Sequence, residues 1–421
     1  MMNGIVINCP ETSLLKNNHI ESQHRAMEVL NAEDIQCEWL VNPSRNTIKA
    51  VWLAIEPYAP RNVFLSWHWI STWFDTFVNS SQSRTNGLLV AKRGQHLIGA
   101  GIFVAQHSRN ILGQKTTRYS LHRVGDELSD QIWIEYNDFL MVEDHQDVIR
   151  QAMMVALQTH IRSRDAVQIG VSLPSQMIKL EVSSTKPQFE ERLIWHSPSY
   201  QVDLQQLRQQ QCGVMQSLSK NARKQIKRSM NKYQQRGVLL LETANSGEQA
   251  LEWFDAAKVN HIARWGAKPE QSGFANDKFV QFHHQYISKS FAGEAKALAN
   301  SAVQLHRLKV GEQILGYIYN LHFGDTVYFY LSALSYEDDP QLKPGLVAHA
   351  LLIEQAYMDG KAVYDFMGGE ARYKQTFSNH KSELLMKVYF QPHFALTVEN
   401  GARRVYSGLK QLKAFLKAPK N

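Results

Sequence analysis

The chain has 421 residues, 44% hydrophobic and 20% charged, enough apolar material for two or three domains with a substantial core. No run approaches the roughly 20 apolar residues of a bilayer span and residues 1–34 carry no arginine-led apolar leader, so a soluble globular protein is expected. The net charge of +7 suits a nucleic acid, an anionic cofactor or a membrane surface as partner.

The three cysteines, Cys9, Cys37 and Cys212, are odd in number and far apart. They suggest neither a disulfide framework nor a metal-ligand set, so no metal is expected and the reducing cytoplasm is the expected compartment. Positive charge concentrates in two places, the run KNARKQIKRSMNKYQQR from Lys220 to Arg236 and the tail with Arg403, Arg404, Lys410, Lys413 and Lys417.

Residues 1–46 are polar and only weakly periodic, which predicts a loose or locally helical extension. From Trp52 the pattern sharpens. PRNVFLSWHWISTWFDTF places Trp69, Trp73 and Phe77 at i, i+4 and i+8, the spacing of a helix stripe buried in a core. GLLVA from Gly87 and HLIGAGIFVAQ pair as a hairpin. A strand near Arg118 to Val124, the segment IWIEYNDFLM, a helix over 146–161 and a strand over 166–173 complete an α/β unit. Tyr136, Asn137 and Asp138 form its polar cluster, either lining a cleft or making a strand-end turn.

Residues 187–198, bounded by prolines, read as a connector, and Tyr200 to Leu204 as a strand. The basic helix follows. Ser217 or Ser219 caps it, Ile226, Met230 and Tyr233 make its apolar stripe, and Gly237 ends it. Lys220 with Lys224 and Arg223 with Lys227 are like-charge i, i+4 pairs, each costing a few tenths of a kcal/mol unless an anion sits nearby. The face is either solvated or holds that anion, with Arg223 the favoured contact. A strand over 238–242 and a helix over 248–265 come next, carrying His261 as a structural histidine or a base. A helix over 279–291 and a three-stranded meander over 303–309, 313–321 and 326–334 follow. In the last strand Tyr328 and Tyr330 share one face.

The stretch from Gln341 to Phe377 carries the densest chemistry. Pro344-Gly345 opens a helix whose first amides lack partners within it, and the small glycine lets a diphosphate approach them. AVYDFM, closed by Gly368-Gly369, reads as a central strand in which Asp365 must hold hydrogen-bond donors. Tyr373 and Lys374 then stand at the strand's exit. A phenol there can return a proton to a leaving thiolate, and a lysine can stabilise an oxyanion or a phosphate. A packed tyrosine and a solvated lysine are the plainer reading of the pair.

The succession of a PG-opened helix, YDFMGGEARYK and a closing hydrophobic strand over 384–390 resembles the C-terminal half of GNAT-fold acyltransferases of the CelD-like group. These are relatives of the Fem-type aminoacyltransferases. The run Ser219, Arg223, Ile226, Arg228 is similar to theirs as well. The resemblance implies an α/β fold of two tandem GNAT-like domains, each a mixed twisted sheet flanked by helices. It implies a degenerate N-terminal domain over 47–186, a transferase domain over 187–400 and a basic tail over 401–421.

It further implies an acetyl-CoA or other acyl-CoA donor held by Gly345, Leu346 and Val347, with Ser332 and Leu334 on the strand admitting the pantetheine arm. Tyr373, Lys374, Tyr330 and Asp365 would serve catalysis, and Arg223, Tyr328 and His322 the acceptor. Strand 326–334 offers no Glu or His as base, which leaves water, Tyr330 or His322 for proton removal. The expected reaction is direct transfer of an acyl group, acetyl first, to an amine or hydroxyl of a small molecule, saccharide or cell-envelope precursor. An aminoacyl-tRNA donor, as in Fem-type enzymes, and a non-catalytic binding protein on the same fold are the alternatives. The tail has an apolar side at Val405, Leu409, Leu412 and Leu416, which would pack on its own domain or lie on an anionic membrane.

Overall fold

The structure is a computed structural model and describes residues 31–79, 84–110, 113–177, 189–292 and 301–391. The expected extension is described only from residue 31, and the basic tail lies outside the described residues.

The chain lays down strand β1 (Gln36–Val41), helices α1 (Arg45–Ile55) and α2 (Trp67–Trp73), the meander β2 (Asn86–Arg93), β3 (His96–Arg109) and β4 (Lys115–Leu121), the short β5 (Leu140–Met141), helix α3 (Gln146–His160), and strands β6 (Ala166–Ser172) and β7 (Glu190–Asp203). A second succession of the same kind follows. It comprises the short helices α4 (Leu204–Gln209) and α5 (Val214–Ser217), the basic helix α6 (Lys220–Gln234), β8 (Leu239–Thr243), helices α7 (Gly247–Trp265) and α8 (Asp277–Phe291), the meander β9 (Ser301–Val310), β10 (Gln313–Phe323) and β11 (Thr326–Leu334), helix α9 (Pro344–Met358), β12 (Val363–Gly368), helix α10 (Arg372–Phe377) and β13 (His380–Phe390).

One mixed sheet runs β1-β2-β3-β4-β6-β13-β7-β12-β11-β10-β9-β8. Read from either edge inward, each half is an edge strand, a meander and a parallel neighbour reached through a helix. β4 pairs with β6 in parallel and β11 with β12 in parallel. The halves exchange their last strands, since β13 from the end of the chain sits beside β6, and β7 beside β12. The protein is thus a tandem GNAT-like α/β fold.

In each half the parallel pair is short. β11 and β12 stay in register from Thr326 opposite Val363 to Tyr328 opposite Asp365 and then part, leaving a V between them. The exit of β12 is bent by Met367 at φ 61° and Gly369 at φ 115°.

Trp69, Trp73 and Phe77 are buried, as their spacing requires. They belong to a core that continues across the halves, with Trp69 against Phe282, Tyr286 and Tyr330. The opposite face of the C-terminal half carries a second core, where Ile226 and Tyr233 of α6 meet Val347 and Ile353 of α9.

Three elements depart from the sequence reading. Gln36–Val41 is an edge strand on β2, not part of a loose extension. The expected connector 187–198 is, from Glu190, the first part of β7, which pairs with β13 from Glu190 to Gln201. IWIEYNDFLM forms a buried irregular segment ending in the two-residue β5. Among the described residues no helix is long and apolar enough to cross a membrane.

Candidate functional site

The face of the C-terminal half that carries α6 and α9 opens into a cleft of about 900 Å³. A bulge in β11 shapes it. Tyr319 stands opposite Leu331 and Asn320 opposite Phe329, so Tyr330 is the extra residue. The insertion flips the alternation beyond it, and Ser332 and Leu334 line the cleft.

The opposite wall is the start of α9. Lys343 supplies no side-chain cap, Pro344 has no N–H, and Val347 N–H is already bonded to Lys343 C=O at 3.1 Å. The amides of Gly345 and Leu346 are therefore the open donors at the helix's positive end, and both residues line the cleft. Arg228 of α6 lines it too and has no ion pair among the described residues.

Tyr373 closes the inner end of the cleft, its ring stacked on His349 at 4.8 Å and an interplanar angle of 7°. Burial pushes the Tyr373 phenol well above its ordinary range. Burial likewise drives His349 down to about 3, so its ring stays neutral at physiological pH.

Lys374, the next residue, turns the other way. Its side chain is buried and its Nζ donates to Gly368 C=O at the tip of β12. Burial lowers its pKa, while Glu135 and Asp365 pull it back up. Asp365 accepts from Met367 N–H at 2.7 Å and from Gln201 Nε2 at 2.9 Å, and Tyr136, whose hydroxyl pairs with Ser199 Oγ at 2.9 Å, stands close by. The buried strand carboxylate thus has the donors its position demands, and it holds the sharp exit in place.

Glu135 reaches the same spot from the N-terminal half, its Oε2 accepting from Gly368 N–H at 2.8 Å. Burial raises it to about 7 against the pull of the Gly368 amide and Lys374. Both glycines make room for these charges. A Cβ on Gly368 would stand 3.1 Å from Glu135 Oε1, and one on Gly369 would stand 3.3 Å from Lys374 Nζ. Ser197 Oγ accepts from Gly369 N–H at 2.9 Å.

Of the residues singled out in the sequence, Gly345, Leu346, Ser332, Leu334 and Tyr373 share the cleft, and Lys374 and Asp365 lie behind it at the strand exit. The others are elsewhere. Val347 is buried in the core under α9 with its amide already bonded. Tyr330 lies in the aromatic core, where its hydroxyl donates to Ile132 C=O and pairs with His283 Nε2 at 3.0 Å. His322 is buried and driven down to about 3, which removes it as a base near neutrality.

Arg223 folds back onto the carbonyls of Gln216 and Leu218 at 2.8 and 2.7 Å, capping the preceding turn instead of facing a ligand. Tyr328 lines a smaller cavity of about 240 Å³ between the halves, together with Asp365, Gln201 and Arg61. His261 is buried against Ser272 Oγ at 2.8 Å and falls to about 4.

In the IEYND cluster Tyr136 and Asp138 line the smaller cavity between the halves, one of the two expectations for them. Asn137 bonds the carbonyls of Leu121 and Gly170, and Asp138 pairs with Arg150 at 2.6 Å. It is Glu135, one residue earlier, that faces the strand exit. Sequence reading passed over Glu135 and His349, and it named Arg228 only within the family-like run while favouring Arg223 as the contact. The available signal for Glu135 was a lone acid inside the apolar run IWIEY.

Residues 220–375 match the family described as Acetyltransferase (GNAT) domain. Similar solved structures include FemX, at 10% identity over 84% of this chain and 97% of that one, with a TM-score of 0.48. L-PGS from Bacillus licheniformis is similar at 12% identity over 85% and 95%, TM-score 0.46. A tandem GNAT protein from the clavulanic acid biosynthesis pathway is similar at 9% over 85% and 100%, TM-score 0.40. A search of curated proteins returns no match. The matched stretch runs from the first residue of α6 to Gln375, taking in both walls of the cleft and the Tyr373-Lys374 pair, so this part of the chain is similar to a GNAT acetyltransferase domain.

Proposed function

We propose that this protein moves an acyl group, acetyl in the first instance, from acyl-CoA to an amine or hydroxyl by direct transfer. The observation that carries the reading is the cleft's continuity. It joins two open helix amides, an unpaired arginine and the inner tyrosine along one wall of the V.

The coenzyme diphosphate meets the Gly345 and Leu346 amides and Arg228. The pantetheine arm runs along Ser332 to Leu334, and the thioester reaches the parting of β11 and β12 beside Tyr373. There Tyr373 Oη gives its proton to the departing thiolate, and Lys374, its Nζ on Gly368 C=O behind the cleft, supplies positive charge at the strand exit that steadies the oxyanion of the tetrahedral intermediate. The acceptor, a small molecule, saccharide or cell-envelope precursor, enters from the N-terminal half. A pool of acyl-CoA places the protein in the cytoplasm.

The test is thiol release from acetyl-CoA in the presence of a panel of primary amines and sugars, with product mass as confirmation. Release that depends on acceptor and falls in Tyr373→Phe supports the reading, and no release with any acceptor refutes it.

One observation favours a second donor. Lys220, Lys224 and Lys227 project from α6 beside the cleft, exposed and without ion pairs among the described residues. An aminoacyl-tRNA would use such a strip through its phosphates, and its binding would weaken steeply and linearly in log-log form with salt. Gel-shift titration with uncharged tRNA at two salt concentrations distinguishes the donors.

A further inference from the structure

A direct transfer needs a group that takes the acceptor's proton, and neither Tyr330 nor His322 is placed to do so. We propose that Glu135, carried by the N-terminal half, is the general base of the transfer, so that the catalytic centre is completed by the half outside the matched GNAT domain. The inference rests on the acyl-transfer reading above.

Position comes first. Glu135 stands at the tip of β12, past the point where β11 and β12 part. β12 ends at Gly368, whose amide holds Glu135 Oε2 at 2.8 Å, and Tyr373, on the helix that follows, lines the cleft. Among the described residues this amide is the one hydrogen bond the carboxylate accepts. Glu135 is only partly buried, and the bond to Gly368 engages Oε2, which leaves Oε1 to take a proton.

The segment that bears Glu135 is also held in an unfavourable backbone. Trp133 and Tyr136, on either side of it, have φ of 48° and 51°, and Met367 opposite has φ of 61°. Non-glycine residues in that region are strained and persist where surrounding contacts over-determine them. Those contacts are present. Asn137 bonds two backbone carbonyls, Gln131 Nε2 donates to Pro269 C=O at 2.7 Å, and the Trp133 ring packs on Phe279 and Tyr330.

The charged and titratable groups around Glu135 are Lys374 from α10, Asp365 from β12, Tyr330 from β11 and its neighbour Tyr136. Burial and Asp365 raise the carboxyl while Gly368 N–H and Lys374 lower it, leaving it at about 7, the range in which a base is most effective at neutral pH. The step balances without a co-reactant. The acceptor nitrogen or oxygen forms its bond to the thioester carbon as its proton passes to Glu135 Oε1. The carbon–sulfur bond then breaks, Tyr373 protonates the thiolate, and Glu135 returns its proton to solvent as solvent reprotonates Tyr373.

The experiment compares wild type, Glu135→Gln and Glu135→Asp in acetyl transfer to a primary alkylamine, whose own ionisation lies near that of lysine at about 10.4. The glutamine amide oxygen can still accept from Gly368 N–H, so the fold and acetyl-CoA binding should be retained. Expected is a fall in kcat of roughly 10²- to 10⁴-fold, with loss of the limb near pH 7 from the pH profile and partial recovery in Glu135→Asp. Glu135→Gln within a few-fold of wild type, or the limb near pH 7 persisting in it, would overturn the assignment while leaving the transfer reaction standing. A wild type that binds acetyl-CoA but acylates no acceptor would overturn both.

Discussion

Replacing Lys374 by methionine keeps most of the side chain's volume and removes its charge from a closed spot. The ammonium donates to Gly368 C=O and stands near the Glu135 and Asp365 carboxyls, both already raised by burial. Losing a hydrogen bond to a charged group costs about 1.5–3 kcal/mol, and stripping a cation from buried carboxylates costs up to about 5. Because Lys374 has neither carboxylate within direct salt-bridge distance, the lower part of that span applies, about 2–4 kcal/mol at pH 8.

At pH 5 Glu135 is protonated in the folded protein, so less repulsion is left uncompensated and the deficit should shrink. Urea titrations of both proteins at pH 5 and pH 8 measure this. Acyl transfer should fall at least about 100-fold at either pH, since the oxyanion loses its cation. Equal stability at both pH values, or a larger deficit at pH 5, would refute the electrostatic account of this cluster. Unchanged transfer would refute the catalytic one.

Two further outcomes follow from the same geometry. Arg228→Glu should weaken acetyl-CoA binding roughly tenfold or more at low salt and less at high salt, since one of the cations lining the cleft, beside Lys343 and Arg372, becomes an anion. Isothermal titration at two ionic strengths reads this directly. Glu56 is raised from 4.5 to about 7 by burial despite accepting Trp67 N–H at 3.1 Å. A carboxyl raised on folding is held more tightly as its protonated form, so it weakens the fold increasingly as pH climbs from about 4.5 through 7. Glu56→Gln should therefore match wild type at pH 4.5 and exceed it by at most about 3 kcal/mol at pH 8, measured as the difference in melting temperature across pH.

What could be read from the sequence was what is encoded locally. The β2–β3 hairpin, the Trp69-Trp73-Phe77 stripe, the meander over 301–334 and the Pro344 helix start each carry their signal within a dozen or so residues. β7 does not. Its pairing with β13 joins segments nearly two hundred residues apart, Pro198 interrupts it, and Leu193, Ile194 and Trp195 are all exposed, so no period-2 burial marks the strand.

The basic helix shows the limit most clearly. Its caps, stripe and end were legible, but which cation meets the cleft depends on how α6 packs against α9. Arg223 serves its own N-terminal turn and Arg228 lines the cleft. Glu135 lies 233 residues from the glycine it contacts, beyond the reach of any local pattern.

The claim on which the rest depends is that the cleft at the start of α9 is the donor site, and equilibrium binding of acetyl-CoA to wild type and Gly345→Asp tests it most directly. A Cβ at Gly345 would meet Tyr336 Oη at 3.3 Å and Leu334 Cδ1 at 3.7 Å, contacts that side chains can relieve, so the variant should fold while placing a carboxylate where the diphosphate binds. At about 100 times its dissociation constant the ligand should stabilise wild type by roughly 2.7 kcal/mol, visible as a rise in melting temperature, and leave Gly345→Asp unmoved. Equal stabilisation of both proteins, or of neither, would contradict it.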